Sequence, residues 1–196
     1  MRVNGYKIKP YADLRGADLT HKELEGVNLR SADLHSANLV GANLTGADLA
    51  GADLTKANLA GAVMAGAYMC FADLTRANLE GAILTVANLS GADLTKANLS
   101  KANLEGAILT VVDLTKADLS GADLQGADLT DADLTKAKLW RTDLTDSYLR
   151  LADLTKADMS GADLSGAILI DADLTGADLT GVNLRRAIMP DGSIHD

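Results

Sequence analysis

A five-residue period runs through almost the whole chain and limits its possible folds more than any other feature. Steps of five residues lead from Leu14 to Met189 without an insertion or deletion, through 36 units of which 32 centre on Leu and four on Met. The residue two before the centre is Ala in 30 of the 36 units, and Asp or Asn stands between the two in most. Such strict self-similarity indicates a repeat architecture built from one short unit.

The period of five excludes the two common regular structures. Five residues turn an α-helix by about 500°, so the Leu side chains would form no stripe, and an odd step along a flat strand would send them to opposite faces. Within one unit, Ala-x-Leu reads as a short strand with both apolar side chains on one side. Of the 18 Gly, 16 lie two residues after a centre, where a corner is needed. The pattern therefore predicts short strands and corners wound around their own core.

A longer period predicts the number of sides. Asp recurs at every twentieth residue from Asp13 to Asp173, and Thr follows the centre at every twentieth residue from Thr55 to Thr175. Lys or Arg takes the next position from Lys56 to Lys156. Twenty residues are four units, so the coil is predicted to have a square cross-section. The 36 units then make nine coils, and a strand spacing of about 4.8 Å makes the rod roughly 40–45 Å long.

Tandem A-(D/N)-L-x-x units over residues 12–189 resemble the pentapeptide repeat family. The resemblance implies an all-β fold, a right-handed quadrilateral β-helix of about nine coils; the handedness comes from the resemblance and not from the spacing. We predict an N-terminal cap at residues 1–11, where Asn4-Gly5 favours a hairpin, a β-helix at 12–189 and a C-terminal tail at 190–196. The uninterrupted Leu-centred pattern looks like that of cyanobacterial members, for which no biochemical activity is implied.

Composition argues against several kinds of function. The net charge of −9 disfavours binding to nucleic-acid phosphates, and no apolar run approaches the length of a membrane span. Residues 1–10 lack the apolar core of a signal peptide, so we expect a cytoplasmic protein, although a signal already removed would leave no trace. The three His and the single Cys are dispersed, and every carboxylate follows the repeat. We therefore expect no catalytic, cofactor or metal site, and a protein that is not an enzyme.

The outward positions divide into four faces of different chemistry. We define the first face by the units centred on Leu14 and every twentieth residue after it, and the second, third and fourth faces by those that begin at Leu19, Leu24 and Leu29. The first face carries the Asp, Thr and basic columns, which we interpret as a solvated, self-neutralised surface; a docking strip for a patterned partner is the alternative.

The fourth face departs most from the repeat, because apolar residues replace polar ones at its outward positions. They include Tyr68, Cys70, Phe71, Ile108, Val111, Tyr148, Leu151, Ile168 and Ile170. A column of apolar side chains on one side of a rod favours a contact surface, for a partner or for a second copy. Packing caused by drift of the repeat, or by the terminal tail, is the alternative.

A second group of residues also breaks the pattern. Trp140 and Arg141 lie close in sequence to Tyr148, Arg150 and Leu151, and these residue types are enriched at binding hot spots. The candidate interaction surface therefore comprises Tyr68, Phe71, Ile108, Val111, Trp140, Arg141, Tyr148 and Leu151.

Two classes of function remain. The first is a non-enzymatic structural or protein-interaction rod with an unknown protein partner or self-association. The alternative is a DNA mimic that binds and modulates DNA gyrase or topoisomerase, as the resemblance suggests because well understood family members imitate duplex DNA. Such members commonly have many Phe centres, an interrupting loop and a C-terminal helical module. Here no centre is Phe, no unit is interrupted and seven residues follow Met189, so the sequence favours the rod.

Overall fold

The computed structural model describes all residues, 1–196, and its only regular strands lie at the N-terminus. Strand β1 (Arg2–Val3) pairs antiparallel with strand β2 (Tyr6–Lys7). The turn residues Asn4 and Gly5 have φ of 49° and 84°, as the type I′ turn favoured by Asn-Gly requires. The Asn4 side-chain amide donates to the Asp18 carbonyl at 2.9 Å, which ties the hairpin to the first coil.

The rest of the chain is a right-handed β-helix whose units pair at a separation of 20 residues. Isolated parallel bridges join the residue before each centre to its counterpart one coil on, from Asp13–Asp33 to Ile168–Ile188. The bridges form four columns, one for each face, so the register confirms the 20-residue period predicted from the sequence. The chain ends with an antiparallel bridge between Ile188 and Ile194.

The core is a single column of the centres and the small residues two positions before them. Every centre from Leu14 to Leu169 is at most 1% exposed. Burial of each Leu contributes roughly 1.5–3 kcal/mol before ordering costs. Two hydroxyl residues replace Ala in this column and stay satisfied: Thr142 Oγ1 donates to the Leu119 carbonyl at 2.9 Å, and Ser147 Oγ to the Leu144 carbonyl at 2.7 Å.

All corners share one backbone conformation. Each residue two after a centre, from Gly16 to Arg186, has a positive φ between 50° and 72°, and so has Tyr11 before the first centre. Glycine adopts this left-handed region freely, whereas other residues pay about 1–2 kcal/mol. The corner requirement therefore explains where the glycines of the repeat lie.

The Asp and Asn of the repeat complete the hydrogen bonding of the backbone. In the unit around Leu94, the N–H groups of Asp93, Leu94 and Lys96 donate to carbonyls of neighbouring coils and that of Ala97 donates to Leu94. The remaining N–H, on Thr95, donates to Asp93 Oδ1 at 2.8 Å. Every Asp and Asn before a centre accepts this bond, at 2.8–3.3 Å. It is the Asx turn that these side chains favour.

Candidate interaction surface

Apolar side chains on the fourth face are grouped in alternate coils. Three coils carry an apolar residue both before the centre and at the corner, and we call these pairs rungs: Tyr68 with Phe71, Ile108 with Val111, and Tyr148 with Leu151. All six side chains are exposed, by 40–77%. The coils between them carry Asn88 with Gly91 and Asp128 with Asp131. Since coils stack about 4.8 Å apart, successive rungs are about 10 Å apart.

The corner residues of the rungs occupy a backbone conformation that suits glycine. Phe71, Val111 and Leu151 have φ of 57°, 57° and 59°. A bulky or β-branched residue is uncommon in this region, and Val111 is both β-branched and 61% exposed. The three residues therefore carry a backbone cost that no burial in the core offsets. Strain of this kind is often found where a side chain has a function.

Each rung also leaves one backbone donor without a partner in the protein. The N–H groups of Cys70, Thr110 and Arg150 make no hydrogen bond, because Tyr or Ile precedes the centre where Asp or Asn would accept. A backbone N–H donates to solvent or to a ligand when the protein supplies no acceptor oxygen. The rungs thus combine exposed apolar groups with donors that are capped in most other units. The same combination occurs once outside the fourth face, at Ile83, Thr85 and Val86 of the third face.

The first rung borders a shallow depression of about 370 Å³. Its lining is Arg30, Asp48, Ala50, Tyr68, Cys70 and Phe71. The Phe71 ring leans toward the next coil, and its Cε1 lies 2.6 Å from where a Cβ on Gly91 would stand. Glycine at position 91 therefore makes room for the ring. The terminal tail pairs at Ile188 and leaves the rungs exposed, so the tail is not what covers them.

The structure separates the two parts of the second candidate group. Trp140 follows a centre of the second face, whereas Tyr148 and Leu151 belong to the fourth, and these faces are not adjacent in the coil. The Arg141 guanidinium stacks on the Trp140 ring, 4.5 Å from its centroid. Closeness in sequence was the wrong criterion here, because five residues change the face. Trp140 and Arg141 form a small site of their own.

The first face carries a column of Asp carboxylates, each of which accepts a hydrogen bond from a backbone N–H. Its ion pairs are confined to Arg15, which contacts Asp13 at 2.7 Å and Asp33 at 3.4 Å. Hydrogen bonds and charge from Arg15 lower the pKa of Asp13 to about 2. Hydrogen bonds from the Thr175 side chain and backbone lower the pKa of Asp173. The basic row from Lys56 to Lys156 makes no ion pair, so it offsets the Asp column only at longer range.

No other region combines features of a chemical site. A polar depression of about 520 Å³ near the C-terminus is lined by Thr145, Asp146, Ser165, Gly166, Arg185 and Arg186. No group of three His, Cys, Asp or Glu could hold a metal ion. No helix is long and apolar enough to cross a membrane.

Sequence reasoning identified the apolar residues of the fourth face but missed two of their properties. It gave the Asp and Asn before each centre no role in the backbone hydrogen bonding, so the uncapped N–H groups of Cys70, Thr110 and Arg150 went unnoticed. It also missed the left-handed backbone at Phe71 and Val111. The signal was present: Gly at 16 of the 36 corners marks the conformation, and a donor count per unit would have found the free N–H.

Comparison with known proteins agrees with this geometry. The family model for pentapeptide repeats matches with eight copies, over residues 11–46, 37–70, 47–85, 72–110, 113–150 and 147–186. The chain belongs to the pentapeptide repeat family. Comparison with curated protein sequences finds no significant match.

Several solved structures of this family are similar to the chain. HetL, a pentapeptide repeat protein involved in heterocyst differentiation regulation in the cyanobacterium Nostoc sp. strain PCC 7120, is 37% identical over 95% of this chain and 92% of that one, with a TM-score of 0.47. A trypsin-treated form of QnrB1, a plasmid-mediated fluoroquinolone resistance protein, is 22% identical over 89% and 87%, with a TM-score of 0.55. At that identity the likeness to QnrB1 concerns the fold alone.

Proposed function

We propose that this pentapeptide repeat protein is a non-enzymatic interaction rod that binds a protein through its fourth face. The observation that carries the proposal is the alignment on one face of three coils that each combine exposed apolar side chains, an unfavourable corner conformation and an uncapped backbone N–H. In other units the repeat has Asn before the centre and Gly at the corner. These residues would remove the exposed apolar groups, the unfavourable corner and the uncapped N–H. The presence of the apolar residues is explained if a partner covers them and supplies oxygen acceptors.

The DNA-mimic alternative is not favoured. A mimic of duplex DNA needs a continuous acidic surface, whereas here the Asp column of the first face runs beside the basic row from Lys56 to Lys156. Arg15, Arg30 and Lys138 neutralise further carboxylates by ion pairs. We expect no inhibition or protection in a gyrase supercoiling assay with and without a quinolone. An effect at about micromolar protein, a usual range for a specific complex, would reverse this preference.

A capture experiment with matched variants tests the interaction rod. The bait is the whole chain with Phe71→Glu and Ile108→Asn, compared with the wild type and with Trp140→Ser, which changes a large exposed residue on the opposite face. We expect the double variant to lose proteins that the wild type and Trp140→Ser both capture. Loss with Trp140→Ser alone would move the site to the second face. Identical captures by all three baits would contradict a binding role for the fourth face.

A further inference from the structure

We infer that the partner of the fourth face is a second copy of this chain, which lies antiparallel with the two-fold axis at the rung of Ile108 and Val111. This inference rests on the proposed function and names the occupant of the same surface. The first argument is spacing. The rungs repeat every two coils, about 10 Å, and another copy has the same coil height, so all three rungs stay in register along the contact.

The antiparallel arrangement brings apolar rungs against apolar rungs. A two-fold axis across the rod at the middle rung reverses the order of the coils and keeps each column opposite its own copy. Ile108 and Val111 then face themselves, while Tyr68 faces the second copy's Tyr148, and Phe71 faces its Leu151. The Arg150 guanidinium comes opposite Cys70, between the aromatic rings of Tyr68 and Phe71, where a cation is favourable.

The coils between the rungs are complementary in polarity. Asn88 comes opposite Asp128, and Gly91 opposite Asp131. Asn88 Oδ1 accepts from Ser90, but its Nδ2 donates to nothing in one copy. Asp128 Oδ1 accepts from Thr130 and its Oδ2 has no partner. The free amide donor of one copy therefore meets the free carboxylate oxygen of the other, and this happens twice in a symmetric pair.

Charge selects this register over the others. With the axis at the middle rung, no Asp faces Asp and no Arg faces Arg: Asp48 faces Ile168 and Asp171 faces Gly51. Parallel rods would place Arg30 and Arg150 opposite their own copies and Asp128 opposite Asp131, and like charges at such positions repel. If the two antiparallel copies slide by one coil in one direction, Phe71 faces Asp131. If they slide by one coil in the other direction, Val111 faces Asp131. In both cases an apolar group would face a carboxylate.

The contact spans five coils and lies at the small end of specific interfaces, so the dissociation constant is expected to be in the micromolar range. Sedimentation of the wild type should show a monomer at low concentration and a dimer at about ten times the dissociation constant. Tyr68→Asn with Phe71→Gly should weaken association at least about 100-fold, because the symmetric pair loses both aromatic anchors twice. Trp140→Ser, on the opposite face, should leave the dimer unchanged.

Distances between identical spin labels then test the geometry. In a Cys70→Ser background, single Cys residues replace Lys56, Lys116 or Lys156 at exposed corners outside the contact. In the antiparallel pair, the two labels lie on opposite sides of the two-fold axis. Each coil between a label and the axis therefore adds about 10 Å to the label–label separation along the rod. The distance should therefore be shortest at position 116 and longer at 56 and 156, with 56 the longest. Equal distances at all three sites indicate parallel rods and overturn the inference.

The two proposals fail in different ways. A wild type that stays monomeric at about 100 µM, above the range expected for a contact of this size, overturns self-association. Capture of a partner that depends on Phe71 and Ile108 would then still support the fourth face as a binding surface. A dimer that survives Tyr68→Asn with Phe71→Gly overturns the inference as well, because it places the contact elsewhere.

Discussion

At the residue scale, the Asp and Asn of the repeat are part of the backbone structure. Each accepts the one N–H of its unit that no carbonyl reaches, as Asp93 does for Thr95. Thr and Ser after the centre often add a second bond, such as Thr55 Oγ1 to Asp53 Oδ1 at 2.6 Å. The repetition of Asp therefore needs no basic ligand or partner to explain it.

Substitution at this position should act in opposite directions at different coils. Asp93→Ala leaves the Thr95 N–H without its acceptor and should lower the free energy of unfolding by about 1 kcal/mol. Ile108→Asn supplies an acceptor to the free N–H of Thr110 and should leave stability unchanged or raise it by up to about 1 kcal/mol. Urea titration of the two variants checks the signs, and a loss of stability with both would contradict the capping role.

The capped carboxylates also predict sensitivity to acid. Hydrogen bonds from Thr20, from its side chain first and then its backbone, lower the pKa of Asp18, and bonds from Thr180 lower that of Asp178. Arg15 lowers the pKa of Asp13 to about 2. A pKa that is lower in the folded state stabilises the protein at pH values above the ordinary Asp pKa of 3.8. This stabilisation is lost as the pH falls through the pKa of the folded state.

Thermal unfolding as a function of pH measures this effect. We expect the midpoint to change little between neutral pH and about 5, and to fall steeply between about 4 and 2, as paired carboxylates protonate. Asp13→Asn should remove part of that slope, because Asn does not titrate. If the unfolding temperature stays constant as the pH is lowered from about 4 to 2, the hydrogen bonds of these carboxylates do not stabilise the folded protein.

At the scale of the element, each unit is a short extended segment with an isolated parallel bridge, followed by a left-handed corner. The centre packs inward and the following residue points outward, as Leu94 and Thr95 do: Leu94 is fully buried, and Thr95 is partly exposed. The corner conformation is common to the units from Leu14 to Leu184, so the choice of residue there reflects either ease of folding or another role.

Two neighbouring substitutions test the register of the unit. Leu94→Ala opens a cavity in the middle of the core and should cost roughly 2–5 kcal/mol. Thr95→Ala keeps the backbone bond to Asp93 and should cost under about 0.5 kcal/mol. Denaturant unfolding of both variants gives the comparison, and similar losses would show that the inward and outward positions are misassigned.

The sequence could predict most of this unit because its signals are local and repeated. Leu at every centre and Ala two before it give the core, and the 20-residue period of Asp13 to Asp173 gives the coil. The strain at Val111 went unpredicted, because it appears only when the left-handed φ that Gly marks at other corners is carried over to this position. The grouping of Trp140 with Tyr148 failed because neighbours in sequence lie on different faces, a property of the coil as a whole.

At the scale of the molecule, the uninterrupted array keeps all three rungs on one face. Their alignment depends on a count of residues that is a multiple of 20, as between Tyr68, Ile108 and Tyr148. Repeat rods gain stability unit by unit, so a missing unit should be tolerated by the fold. The binding surface, in contrast, depends on the number of residues between the rungs.

Two deletions separate the fold from the surface. Removal of the five residues 92–96 preserves the repeat but turns every later unit by one face, so Ile108 no longer aligns with Tyr68. Removal of the 20 residues 32–51 takes out one whole coil before the first rung and keeps the three rungs aligned. Both proteins should retain a β-type circular dichroism spectrum, and only the second should sediment as a dimer. Association of the five-residue deletion would contradict the rung alignment.

The central claim is that the apolar residues of the fourth face serve a contact and not the fold. The most direct measurement is the free energy of unfolding of the Tyr68→Asn, Phe71→Gly variant, at a concentration where it and the wild type are both monomeric. Asn caps the free Cys70 N–H, and Gly relieves the corner, so the account predicts a stability equal to the wild type or higher by up to about 1–2 kcal/mol. A loss of more than about 1 kcal/mol, typical of a residue that packs in the native structure, would contradict it.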